Sequence, residues 1–231
     1  MNTRRTSLRI AAALALGATA GTATAQDAID LDDYNESLAA EPGWSADQVT
    51  QLEVRNAEGE SIGEVEDLVI GPDGNVAGLI LEVGGLLDIG DTHLMVPWDQ
   101  VEMTGGMGEI EHVTVPVADD SWDQFDLSAS SGDVDTERRR FRASELIGDY
   151  TSLTDERGYG LVNDLIFDES GALQSVVVNR SGRYGGGHQA YPYYGYDDGF
   201  DPGSDYYDLP YAGDDVGELE PFDYDGLYGA S

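Results

Sequence analysis

The chain of 231 residues contains neither cysteine nor lysine. Without cysteine it forms no disulfide and offers no thiolate to a metal, so its stability has to come from packing. Histidine is nearly absent too: His93, His112 and His188 are scattered and form no pair at the spacing zinc needs. A nucleophile elbow, a phosphate loop and a dinucleotide fingerprint are all missing. Carboxylates are so abundant that no pair can be singled out as a general acid and base. No catalytic residue and no cofactor are expected, and the chain reads as a non-enzyme. Five Phe and three Trp are lean for one large core and sufficient for two small ones.

What is abundant is acid. Forty-six Asp and Glu stand against eleven Arg, a formal charge of -35. Such a surface repels phosphate backbones, which excludes nucleic acid as a partner. The acids run from Asp27 to Asp225 without gathering in one place, which favours adaptation to a saline medium, where screening removes their mutual repulsion. The other reading is that they bind cations or a basic partner.

Residues 1–25 have the form of an export signal: Arg4, Arg5 and Arg9, an apolar core from Ile10 to Leu16, and small residues up to Ala25. The core is too short to anchor in a bilayer. Thr3 to Arg9 resembles the twin-arginine motif, and both that route and general secretion stay open. The expected location is periplasmic or secreted, with a mature chain that does not span the membrane. Residues 26–48 read as an acidic flexible arm, with Trp44 placed against the first domain and a helical turn beginning at Ser45.

The centre of the sequence is a stretch that occurs twice. Gly63 to Glu82, GEVEDLVIGPDGNVAGLILE, lies without a gap on Gly160 to Asn179, GLVNDLIFDESGALQSVVVN. Each copy is an apolar run, a turn ending in Gly, and a second apolar run, which predicts a β-hairpin. Ile62, Val65, Leu68 and Ile70 are core candidates in the first copy, and Val162, Leu165, Phe167, Leu173, Val176 and Val178 in the second. Short strands are also predicted at Leu52–Arg55, Thr92–Val96 and Ile110–Val115. The pattern is that of a small antiparallel barrel, repeated.

Leu52 through Trp98, with IGEVEDLVIGPDG, VAGLILEVGG and the terminal VPWDQV, resembles the PRC-barrel family, and Ala143 to Gly148 is similar to the family's lead-in segment. The resemblance implies a mainly β fold of two small antiparallel barrels in tandem, of about six strands each by analogy with such barrels. It also implies a docking or regulatory module without shared catalytic residues. The expected organisation is repeat one over 49–117, an acidic linker over 118–141 and repeat two over 142–231. Arg138, Arg139, Arg140 and Arg142 form the one basic cluster after the signal. Pairing with surrounding acids accounts for it better than an anionic ligand does.

Repeat two carries a Tyr- and Gly-rich loop over 183–207. Aligning Val96-Pro97-Trp98 with Leu209-Pro210-Tyr211 makes this loop sixteen residues longer than its counterpart. Tyr is suited to recognition surfaces, so Tyr191, Tyr193, Tyr194, Tyr196, Tyr206 and Tyr207 are interaction candidates; the competing reading is that the rings cover the barrel wall. Leu86, Leu87 and Ile89, at the tip of the corresponding loop in repeat one, are candidates as well. Asp197, Asp201 and Asp205 could offer oxygens to calcium, but they depart from an EF-hand loop and no metal is expected. The function expected is an exported envelope module that binds or scaffolds an unidentified protein partner. The alternatives are a ligand site or active site between the barrels, and a passive envelope or stress protein.

Overall fold

The computed structural model describes residues 29–40, 43–83, 92–106, 109–117, 140–195, 203–217, 219 and 221–222. Residues 1–25, most of the linker, Leu86, Leu87, Ile89, Tyr196, Asp197 and Asp201 lie outside these.

A helix, α1 (Leu31–Ala40), precedes β1 (Gly43–Ser45) and the short helix α2 (Ala46–Val49). Then come β2 (Glu53–Arg55), β3 (Ser61–Ile70), β4 (Val76–Val83), β5 (Thr92–Pro97), a 3-10 turn over Trp98–Gln100, β6 (Glu102–Gly106) and β7 (Glu109–Thr114). The second half repeats the plan: β8 (Phe141–Arg142), α3 (Ala143–Leu146), β9 (Tyr150–Ser152), β10 (Gly160–Asp168), β11 (Leu173–Arg180), a 3-10 turn over Gly182–Tyr184, β12 (His188–Pro192), β13 (Tyr206–Asp208) and α4 (Gly213–Val216). The fold is mainly β, as expected, in two sheets. One runs β5-β4-β3-β2-β7-β6 and the other β12-β11-β10-β9-β13. Neither ladder closes on itself among the described residues.

Each sheet takes its remaining strand from the other repeat. β1, which leads into repeat one, pairs with β10 and sets Trp44 opposite Phe167. β8, which leads into repeat two, pairs with β3 and sets Phe141 opposite Ile70. Trp44 and Phe141 are ninety-seven residues apart, and so are Ile70 and Phe167, so the exchange is reciprocal. The same relation governs the caps. Asp164 accepts the Asp47 N–H at the start of α2 (3.1 Å) and Asp67 accepts the Ser144 N–H at the start of α3 (3.3 Å). At the centre, Asn75 bridges Ala172, flanked by Val76 N–H to Gly171 C=O (2.9 Å) and Leu173 N–H to Gly74 C=O (2.8 Å). The pairings thus obey a local two-fold relation. One apolar cluster runs through both halves, and it includes every core candidate named above except Ile62, which packs half-buried against it.

Two expectations change. Residues 31–40 and 43–48 are not a free arm: Leu31 and Leu38 of α1 are buried, and Trp44 is fully buried, stacked on Trp98 of repeat one, as expected, and also on Phe167 of repeat two. An acidic composition did not prevent this, because three large apolar side chains suffice to dock a short segment. The helical turn at Ser45 is present. Ser45 Oγ accepts the Gln48 N–H at 3.2 Å and Gln48 Oε1 accepts the Ser45 N–H at 2.9 Å, a reciprocal cap.

The sixteen-residue insertion is the second correction. Gly78 pairs with Pro97 and Ser175 with Pro192, so the counterpart of Val96-Pro97-Trp98 is Tyr191-Pro192-Tyr193. Leu209-Pro210-Tyr211 instead matches Val115-Pro116-Val117, since Val115 N–H donates to Arg55 C=O and Leu209 N–H to Ser152 C=O. Repeat two is therefore no longer than repeat one at this loop. Proline marks both strand ends, and only the long-range pairing tells them apart.

Candidate functional site

The Tyr-rich segment is largely interior. β12 carries Tyr191 inward with no exposure, where its hydroxyl pairs with that of Tyr159. Tyr207 is equally buried, and its hydroxyl oxygen accepts the Tyr194 N–H at 3.4 Å. Tyr194 and Tyr211 share a hydroxyl hydrogen bond of 2.6 Å, and Tyr211 donates to Ile29 C=O at 3.1 Å. Tyr34 of α1 reaches Gln174 C=O and Ser175 Oγ. Burial pushes the Tyr34 hydroxyl up to about 12 and raises Tyr159, Tyr191, Tyr207 and Tyr211 as well, so all remain neutral. Tyr193 is half-buried and packs its ring edge over Gly74. As contact residues for a partner, Tyr191 and Tyr207 are thus corrected: their rings build the core, the packing alternative raised from the sequence.

Tyr206 is different. It is exposed, and it belongs to a row that crosses three strands. Tyr206 on β13 is the partner of Tyr150 on β9, and Tyr150 of Leu161 on β10. The exposures are 43%, 54% and 42%, which makes these three of the four large apolar residues exposed among those described. The Tyr rings lie 5.8 Å apart, tilted by 34°, and the Arg157 guanidinium sits 5.7 Å over the Tyr206 ring.

The equivalent row of repeat one makes the contrast. There Glu53 faces Glu64, and Glu64 faces Glu82. His112 takes the place of Tyr206, one residue before the Val54–Val113 pair. Strand alternation sends these side chains outward in both sheets. Repeat one therefore presents carboxylates where repeat two presents rings and a leucine. Sequence reasoning named Tyr206 but missed Tyr150 and Leu161. The ungapped repeat alignment held the signal, since it lays Glu53 on Tyr150 and Glu64 on Leu161.

Carboxylates rim the row. Asp149 adjoins Tyr150, and Asp205 adjoins Tyr206 while its C=O accepts the Tyr150 N–H at 3.0 Å. Burial first, and then the charge of Asp205, push the Asp149 carboxyl up to about 6. A cleft of about 490 Å³ opens beside the row, between Ser152–Arg157 and Asp208–Pro210. Its acids are partly engaged: Asp155 accepts the Gly213 N–H and Glu156 pairs with Arg183 at 3.1 Å.

The surface between the repeats holds packed rings. Trp44 stacks on Phe167 at 4.5 Å and on Trp98 at 5.5 Å, and Phe141 meets Tyr193 at 6.4 Å. The cleft lies elsewhere, within repeat two. Among the described residues no group of three His, Cys, Asp or Glu is placed to hold a metal, and Asp205 stands exposed. No described helix is long and apolar enough to cross a membrane.

Residues 45–115 match the PRC-barrel domain. The first repeat is thus a PRC-barrel domain, and the second repeats its strand plan by the pairings above. No curated protein matches the chain.

Proposed function

We propose that this chain is an exported, non-catalytic binding or scaffold module of the cell envelope, and that it docks a protein partner on the Tyr206-Tyr150-Leu161 row. The observation that carries this reading is the difference between two equivalent rows. A surface dominated by acid has no solvation reason to expose three large apolar residues in contact, and such patches mark interaction sites. Tyr and Leu there are also poor choices for salt tolerance, whereas the Glu residues of repeat one suit it. The signal-like residues 1–25 supply the envelope location, and the lysine-free acidity supplies the saline medium.

Crosslinking in intact cells at native salinity tests it. A specific envelope partner should be captured by the native protein and lost with Tyr150→Ser, Leu161→Ser and Tyr206→Ser combined, with unchanged melting. Recovery of the native protein alone would instead favour a passive envelope protein.

A further inference from the structure

We infer that the partner offers this row a cationic amphipathic helix. The inference rests on the reading of the row as a docking surface and adds the chemistry of what docks. Three arguments converge on it.

The first is spacing. Adjacent strands lie about 4.8 Å apart, so three residues on three strands span about 10 Å. Side chains at i, i+3 or i+4, and i+7 of a helix span two turns, about 11 Å. An extended segment places same-face side chains about 7 Å apart and overshoots the row.

The second is charge. Around the row, residues 149–161 and 203–211 carry five carboxylates, Asp149, Asp155, Glu156, Asp205 and Asp208, against Arg157 alone. A second copy of this chain brings carboxylates within contact range of these five, where salt screens least, and is disfavoured, as is any phosphate-bearing polymer. A basic segment is attracted.

The third is an incomplete site. Asp149 Oδ2 is buried with no hydrogen-bond partner among the described residues, beside the like charge of Asp205. A guanidinium or ammonium group brought to this rim would offset the repulsion between Asp149 and Asp205. The surface already holds one such contact of its own, Arg157 over Tyr206. It shows that this ring accepts a cation in the exposed geometry.

The test uses the protein purified from the cells that make it and three labelled synthetic peptides of equal length. One places Leu at i, i+3, i+7 and i+10 with Arg between, one scrambles that order, and one replaces Arg by Glu. Fluorescence anisotropy is read at low salt and at 1 M salt. The ordered Leu/Arg peptide should bind at least ten-fold more tightly than either other peptide and keep part of its affinity at 1 M salt. Tyr150→Ser, Leu161→Ser and Tyr206→Ser combined should weaken it at least ten-fold, and Asp149→Asn with Asp205→Asn several-fold, with melting curves recorded for each. If the Leu/Glu peptide binds equally and the triple variant abolishes both, the cationic partner is wrong while the docking row stands. If ordered and scrambled peptides bind alike and the triple variant changes nothing, attraction to the acidic surface at large explains the binding and the inference fails. Absence of binding by all three peptides overturns it too.

Discussion

Replacing Trp44 with alanine should destabilise the whole protein, although Trp44 precedes the first repeat in sequence. The ring has no exposure, stacks on Phe167 at 4.5 Å and on Trp98 at 5.5 Å, and joins residues of both halves. Truncating a buried Trp to Ala costs about 3–5 kcal/mol from lost burial and the cavity left behind. For a protein of this size each kcal/mol moves the melting midpoint by about 2–4 °C, so a fall of about 6–20 °C is expected. Trp44→Phe is the informative companion. Repeat two already has Phe141 at the equivalent place, and the buried Trp44 Nε1 has no hydrogen-bond partner among the described residues. Phenylalanine keeps the stack and removes the unpaired donor, which by itself is worth about 1–3 kcal/mol. The loss of ring area works the other way, so this variant should stay within about 1.5 kcal/mol of the native protein. The assay is urea unfolding followed by far-ultraviolet circular dichroism and by tyrosine fluorescence. Both signals should shift together in Trp44→Ala, because the exchanged strands tie the halves into one unit. A loss below about 1 kcal/mol, in the range of surface substitutions, would mean that Trp44 is not part of a shared core. So would two separated transitions, only one of which moves.

Burial lifts Asp164 to about 6, and Asp67 is raised in the same direction. A carboxyl raised in the folded state binds its proton more tightly there than in the unfolded chain, so stability rises as pH falls from about 6 towards 4 and is lost as pH rises through 6. At about 1.4 kcal/mol per pH unit of displacement, Asp164 alone contributes about 3 kcal/mol to this trend. Asp164→Asn keeps an oxygen for the Asp47 and Leu165 N–H groups and should remove about one proton from the slope of unfolding free energy near pH 5, within the window from about 6 to 4, in high salt. An unchanged slope would contradict the assignment. Gly171 has φ +87°, and a Cβ there would meet Trp98 Nε1 at 2.7 Å, whereas Gly59, with φ +83°, has nothing within 4 Å. Gly59→Ala should cost about 1 kcal/mol for backbone strain alone, and Gly171→Ala clearly more, on the order of 2–3 kcal/mol, with a shift in tryptophan emission. Equal losses would show that the Trp98 contact is not tight. Added salt should raise the unfolding midpoint steeply, as screening relieves the repulsion among forty-six acids; a flat response to molar salt would remove the saline reading.

The hairpins were legible because their signals are local: alternating apolar residues on either side of a turn that needs Gly74 or Gly171. Burial of Val65, Leu68, Val162 and Leu165 followed from their apolar character; residues three apart share a face here because a bulge interrupts the alternation between Val65 and Asp67 and between Val162 and Asp164. The exchange of β1 and β8 was not legible. The repetition of Trp44-Ser45-Ala46 as Phe141-Arg142-Ala143 was present in the sequence, but a three-residue strand does not record which sheet it will join. Misplacing Leu209-Pro210-Tyr211 had the same origin, since proline marks a strand end without naming the strand. Tyrosine misled in another way. Its ring suits a recognition surface and a packed wall equally, and Tyr191 and Tyr207 are wall because β12 and β13 turn them inward. Tyr150 and Leu161 were recoverable only by asking which outward positions differ between the repeats.

The most direct test of the docking claim uses the repeats as each other's control. A photo-crosslinking amino acid is placed at position 150 in one variant and at position 53, its equivalent in repeat one, in another, and both are irradiated in intact cells at native salinity. A discrete adduct with a single envelope protein is expected from position 150 and none from position 53. No adduct from position 150, or the same adducts from both positions, would contradict the docking claim.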